Sequence, residues 1–233
     1  IFSLEIDEAS AHQFDLVTAD GSIDCQNCPA EQELKVLPLF CAEIRCAFRL
    51  LTEGGSFILK MFTFFKPQTR KVLQMLRKCF REVHVRKPSC SRSSNSEVYI
   101  ICLSYRAEVG EKFIPELDRL VNTEGELQGE LCESLDSDFE ATILDAARNF
   151  CEWQVTTIKE NVEYFDHMTR RQREKLEIVK TMVADMYISK LHVTKLKPSV
   201  EGNRLLTCAT LTKPSLSKGR AWNVVAYEDR ENR

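Results

Sequence analysis

Along the first hundred residues, short continuous apolar runs alternate with apolar residues at helical spacing. Gln13 to Asp20, QFDLVTAD, is an apolar run with polar flanks that ends in the turn composition Ala-Asp-Gly-Ser, and it predicts a buried strand entering a loop. From Glu31 to Leu51 the residues Leu34, Leu37, Leu39, Phe40, Ile44, Ala47 and Leu51 recur at threes and fours. That spacing predicts a helix whose start Pro38 kinks or delays and which Gly54 and Gly55 stop. Ser56 to Phe62, SFILKMF, predicts a second strand, apolar except for Lys60. Pro67 suits the first turn of a helix carrying Val72, Leu73, Leu76 and Phe80. Val83 to Val85 and Val98 to Leu103 complete the set as third and fourth strands. Strand, helix, strand, helix, strand, strand is the order of an open, mainly parallel α/β sheet, half of a doubly wound one, with its last two strands antiparallel.

Beyond Tyr105 the pattern changes to long amphipathic helices. One carries Phe139, Ile143, Ala147, Phe150, Gln154, Ile158 and Val162, the next Leu176, Val179, Met182, Val183 and Met186. Trp153 and Phe165 on these helices are read as core residues. The tail from Lys195 to Arg233 has scattered apolar residues and is expected to pack as short strands. This divides the chain into an α/β part over 1–106, an acidic linker over 107–137 and a mainly helical region over 138–233.

With 233 residues, 43% hydrophobic and 29% charged, the chain can bury a core. No apolar run approaches the roughly 20 residues that span a bilayer, so no membrane association is expected. The chain opens on Ile1 and runs directly into acidic residues, which suggests a fragment. Ten cysteines carry no disulfide spacing and fit reduced thiols. Cys25 and Cys28 form a C-x-x-C, but Cys41 and Cys46 on a helix would point about 140° apart, a poor arrangement for one ion. No metal site is expected. The net charge of −3 conceals an asymmetry: Lys60 to Arg92 holds ten basic residues against one acid, and Glu108 to Glu140 eleven acids against two bases. The basic block is either a surface for a phosphate backbone or a face paired with the acidic block.

Candidate chemistry gathers at one edge of the sheet. In open α/β sheets ligands sit beyond the carboxyl ends of the strands. Asp20 ends the first strand, Lys60 stands near the end of the second, and Glu97 enters an antiparallel strand whose start returns to the same rim. A lysine within an apolar strand is costly to keep charged, because burial disfavours the ammonium. Lys60 is therefore a candidate general base, or a lysine that extends from a strand end to solvent.

These residues carry a resemblance. VTADGS (17–22), GGSFILKMFTFF (54–65) and KPSCSRSSNSEVYIICLSY (87–105) resemble the later motifs of the FtsJ or RrmJ-type ribose 2'-O-methyltransferases, whose chemistry rests on a Lys-Asp-Lys-Glu tetrad. Within that family the likeness is greatest to the cap methyltransferases of the Adrift type, which act on the second transcribed nucleotide. DCQ with the following P-x-EQE (24–33), LKMFTFF and IKENVEYFDHM (158–168) carry that finer likeness.

The resemblance implies the second half of a Rossmann-like S-adenosylmethionine-dependent methyltransferase sheet, followed by a mainly helical region. By position Asp20, Lys60 and Glu97 match the tetrad's aspartate, second lysine and glutamate, with Asp20 also beside the cofactor. In the family the first lysine and the glycine-rich cofactor loop lie upstream of the segment matched here. Lys60, kept neutral by burial and by that other lysine, would be the base for the ribose hydroxyl. Lys66, Arg70, Lys87, Arg92 and Asn95 would face the RNA, a capped mRNA or small nuclear RNA, and the implied location is nucleus and cytoplasm. The contrasting expectation is an inactive methyltransferase-like module that binds capped RNA or scaffolds its processing.

Overall fold

The computed structural model describes residues 1, 2, 6, 12–25, 27–88, 91–122, 124–132 and 134–192. The tail expected as short strands lies outside the described residues. Two units emerge, Ile1–His167 and Met168–Arg233.

The first unit is built on a four-stranded sheet: β1 (Phe14–Ala19), β2 (Leu51–Met61), β3 (Phe80–Arg86) and β4 (Val98–Tyr105), in the order β1-β2-β4-β3. β1 and β2 are parallel, while β4 runs antiparallel to both β2 and β3 and stands between them. β3 thus runs in the direction of β1 and β2, as the alternation predicts, with the reversed strand slotted inside rather than added at the edge. Helices α1 (Gln32–Leu50) and α2 (Pro67–Cys79) make the two crossovers. Both crossovers step the same way across the sheet, so right-handed connections bring both helices to one face. On that face Phe57, Leu59 and Met61 of β2 meet Cys102, Ile100 and Val98 of β4 in direct register, all buried. Phe40, Ile44 and Phe48 from α1 and Val72, Leu73 and Leu76 from α2 close the core over them.

Three local expectations change. α1 runs straight through Pro38 from Gln32, its first turn preceded by a 3-10 turn at Pro29–Glu31. Gly54 and Gly55 do not end it; the chain turns extended at Leu51, and both glycines lie inside β2. They sit where the register with β1 jumps from Phe14↔Leu51 to Leu16↔Ser56, a bulge that needs the left-handed backbone of Gly54 (φ 79°). β1, expected as buried, pairs with β2 among the described residues, and Phe14 and Leu16 are about half exposed there.

The acidic stretch after the sheet packs on the core. Short helices α3 (Ala107–Gly110) and α4 (Ile114–Leu120) lead into it, and Leu117, Leu120, Val121 and Leu131 are buried. It answers the basic helix α2 charge for charge: Lys71 Nζ reaches Glu130 Oε2 at 3.2 Å, and Arg70 reaches Glu140 Oε1 at 2.6 Å. Gln74 donates to Ser134 O and accepts from Asp136 N–H, while Asp136 Oδ1 caps the first turn of α5 (Ser137–His167) through Phe139 N–H. On α5, Ile143 and Ala147 are buried, but Trp153 and Phe165 are 60% and 78% exposed. Neither is the core residue its helical spacing suggests, since the core ends before the helix does. In the second unit α6 (Arg170–Lys190) starts with a Thr169–Gln172 capping box and exposes its apolar residues. No helix among the described residues is long and apolar enough to cross a membrane.

Arg70 is the strut of this arrangement, since its buried guanidinium also donates to Phe65 O. Arg70→Ala strands the Glu140 carboxylate and is expected to cost about 2–4 kcal/mol in denaturant unfolding. Lys71→Ala, at a more exposed pair, should cost under about 1 kcal/mol.

Candidate active site

Register alone begins the site. Ala19 pairs with Leu59, so the residue after β1, Asp20, arrives beside Lys60. Lys60 is buried in a strand flanked on both sides, and its Nζ lies 2.7 Å from Asp20 Oδ1 while donating to Asp20 O at 2.9 Å. The Phe62 ring lies 5.9 Å from the same Nζ. Asp20 itself is 72% exposed, so the pair is buried at the lysine end and open at the carboxylate end.

Lys60 stands opposite Tyr99 on β4, and Tyr99 opposite Arg86 on β3. Residues directly opposite in an antiparallel pair share a face, so Lys60, Tyr99 and Arg86 form one row, with Arg86 about 10 Å from Lys60 across two strand spacings. Glu97, two residues before Tyr99, belongs to the same face and rim. Its carboxylate accepts from Ser91 Oγ at 2.9 Å. The structure therefore joins Asp20 to Lys60 directly and brings Glu97 to the adjoining strand start, where it holds the loop before β4.

The five residues expected to face RNA separate into three groups. Lys66 and Arg92 are exposed at the rim. Arg70 is turned inward and occupied, as described above, which removes it from that set: α2 packs this face against the acidic segment. Lys87 and Asn95 brace the loop. Lys87 Nζ donates to Asn95 O, Asn95 Oδ1 and Glu97 O, one acceptor for each of its three protons. Partial burial pulls the Lys87 ammonium below the ordinary lysine range, with the Glu97 charge opposing.

Two further carboxylates, both on α1, complete the site. Glu33 is buried and accepts from Thr63 Oγ1, Phe65 N–H and Lys66 N–H at 2.8, 3.1 and 2.6 Å, which ties down the loop leaving β2. Glu43, 5% exposed, accepts from Gly21 N–H at 2.9 Å in the loop leaving β1. Burial raises the Glu43 carboxyl above its usual value; the Gly21 bond and the Lys60 charge oppose that, and Asp20 adds to it. The sequence offered one signal for Glu43, a lone acid between Ala42 and Ile44 inside a run of core residues. Cys41 and Cys46 on the same helix are buried thiols, the first pushed up to about 12 by burial.

An acid and a lysine on adjacent parallel strand ends, beside a reversed strand that enters with a glutamate, define a Rossmann-like α/β domain with a charged rim. Residues 1–105 match the description FtsJ-like methyltransferase, and this part of the chain belongs to that family. Over more of its length the chain is similar to the Cap-specific mRNA (nucleoside-2'-O-)-methyltransferase 2 of several animals. It is 41% identical to that of Danio rerio over 77% of this chain and 24% of the relative. It is 34% identical to that of Drosophila melanogaster over 92% of this chain and 30% of the relative, and 33% identical to that of Pongo abelii over 85% and 26%. The chain thus spans roughly a quarter to a third of the length of these relatives.

Because the folded state raises the Glu43 carboxyl, the native protein holds a proton there that the unfolded chain has released. Stability should therefore fall as pH rises from about 4.5 through the raised value, and Glu43→Gln should flatten that part of the profile. Urea midpoints measured across that range for both proteins check it.

Proposed function

We propose that this chain carries part of the catalytic centre of an S-adenosylmethionine-dependent methyltransferase that modifies the ribose 2'-hydroxyl of the second transcribed nucleotide in capped mRNA. Small nuclear RNA is the other capped substrate, and nucleus and cytoplasm are the expected locations. The observation that carries the reading is the Asp20–Lys60 pair at the carboxyl rim, in a domain of this family whose relatives act on the cap.

Lys60 is the general base. It enters the step as the free amine, and its Nζ takes the hydroxyl proton as the 2'-oxygen forms its bond to the methyl carbon. The sulfonium of the cofactor supplies the methyl already activated, and the electron pair of the broken carbon–sulfur bond stays on sulfur. Asp20 orients Nζ through two contacts and presents an open carboxylate where a sulfonium cation would be favoured, which is how the residues present suit the cofactor. Glu97 and the Lys87-braced loop hold the far side of the ribose in register. Exposed Lys66, Arg86 and Arg92 ring the rim and take the RNA phosphates, positioning the strand without reading its bases.

The test uses the full-length protein, labelled S-adenosylmethionine and RNA already methylated on its first nucleotide, with nuclease mapping of the product. Label on the second nucleotide that falls by about 100-fold or more in Lys60→Ala is the expected result. Binding of capped RNA without transfer would instead favour an inactive reading module.

Paired charge reversal, Arg86→Glu with Arg92→Glu, should weaken capped-RNA binding and lower the salt slope of log K by about 2. Arg70→Ala at equal folded fraction should leave that slope unchanged. Affinity titrations over a salt series check both.

A further inference from the structure

The peptide group that joins Asp20 to Gly21 is held from both ends. Its carbonyl accepts from Lys60 Nζ at 2.9 Å, and its N–H donates to Glu43 Oε1 at 2.9 Å. In a trans peptide these two groups point in opposite directions, and no described peptide bond is cis. Glu43 and Lys60 therefore lie at the two ends of one amide dipole, carboxylate at the N–H end and ammonium at the carbonyl end. Each bond polarises the amide and strengthens the other. Asp20 Oδ1 closes the arrangement 2.7 Å from the same Nζ.

The fit leaves no slack. A Cβ at position 21 would stand 2.4 Å from Glu43 Oε1 and 3.0 Å from Leu39 Cδ2, so any larger residue there would displace the carboxylate from its present place. Glu43 rises from the middle of α1 between two buried apolar residues, and its second oxygen, Oε2, is buried with no hydrogen-bond partner among the described residues. A carboxylate buried with one oxygen unsatisfied is destabilising, and an apolar side chain would serve packing better. The acid stands there at a cost to the fold, and among the described residues what it grips is the peptide that grips Lys60.

We propose that Glu43 is a positioning residue for the Asp20–Lys60 pair, acting through the Asp20–Gly21 peptide to fix Lys60 Nζ at the rim before substrate arrives. Its catalytic consequence rests on the methyltransferase reading above; its structural content does not. The charged and titratable groups around Lys60 are Asp20 from the loop after β1, Glu43 from α1, and Tyr99 with Glu97 on the shared face of β4.

Glu43→Gln keeps an acceptor for Gly21 N–H and removes the charge, whereas Glu43→Leu removes both. In the full-length protein, competitive acylation of Lys60 at fixed pH, read by mass spectrometry, should be about 3–10-fold faster in Glu43→Gln, as a neutral amide grips Gly21 N–H less tightly than a carboxylate and loosens the peptide that holds Nζ. In the same variant kcat should fall while KM for RNA holds. In the unaltered protein the Gly21 amide should exchange with solvent far more slowly than an open loop amide. Acylation at the original rate in a folded Glu43→Gln protein overturns the proposal, and so does fast Gly21 exchange in the unaltered protein, which needs no variant at all. Methyl transfer absent throughout, with acylation still responding to Glu43→Gln, would sink the proposed reaction and leave this relay standing.

Discussion

An ammonium buried in a strand with neighbours on both sides is the constraint around which this domain is arranged. β1 and β4 flank β2 on both sides, and the acceptors Lys60 meets among the described residues come from the rim. The parallel register delivers one there: Ala19 pairs with Leu59, and the next residue of β1 must leave the sheet beside the lysine. Asp20 accordingly supplies both a carboxylate and a carbonyl. An unpaired buried charge costs several kcal/mol, roughly a third or more of the net stability of a domain, so the loop after β1 has little freedom to be anywhere else.

The helix between those strands carries the second layer of the same constraint. α1 presents Glu43 to the loop after β1 and Glu33 to the loop after β2, each carboxylate accepting from backbone N–H groups. Loops at the ends of strands are usually the freest part of an α/β domain. Here both are fastened to one rigid element packed on the core by Phe40, Ile44 and Phe48. The distance between Asp20 and Lys60 is therefore set by a helix as well as by the sheet, which is how a site on loops acquires the precision of a site on regular structure.

How much of this was legible follows from what each signal measures. Periodicity reports burial within one element, so the strands, α1 and α2 were readable to within a few residues, and the apolar strand around Lys60 pointed to its chemistry. The GlyGly pair misled because glycine marks both helix ends and bulges, and only the pairing with β1, whose register shifts between Phe14 and Leu16, decides which. Trp153 looked like core because a helix keeps its apolar spacing beyond the point where the described core stops. Glu43 was visible only as an acid inside an apolar run and Glu33 only as one of the polar residues opening α1, and what Glu33 and Glu43 bind comes from loops about 30 and 20 residues away in sequence. The resemblance supplied Asp20 and Glu97 as a set, which spacing alone did not.

The charge blocks show why a net count over a segment is a poor guide to a partner. Ten basic residues in a row of 33 suggested one surface, yet the fold distributes them by depth. Arg70 and Lys71 are paired with the acidic segment, Arg77 lies over the Phe139 ring at 5.3 Å, and Lys87 is spent inside its own loop. An arginine engaged in this way has already exchanged water for protein acceptors and would have to break those bonds to meet a phosphate. Exposed Lys66, Arg86 and Arg92 carry no such penalty, and all three stand at the carboxyl rim. The exposed cations of this rim are thus selected twice, first by which of them the acidic segment leaves in solvent and then by which of those lie on the side where β1, β2 and β3 end.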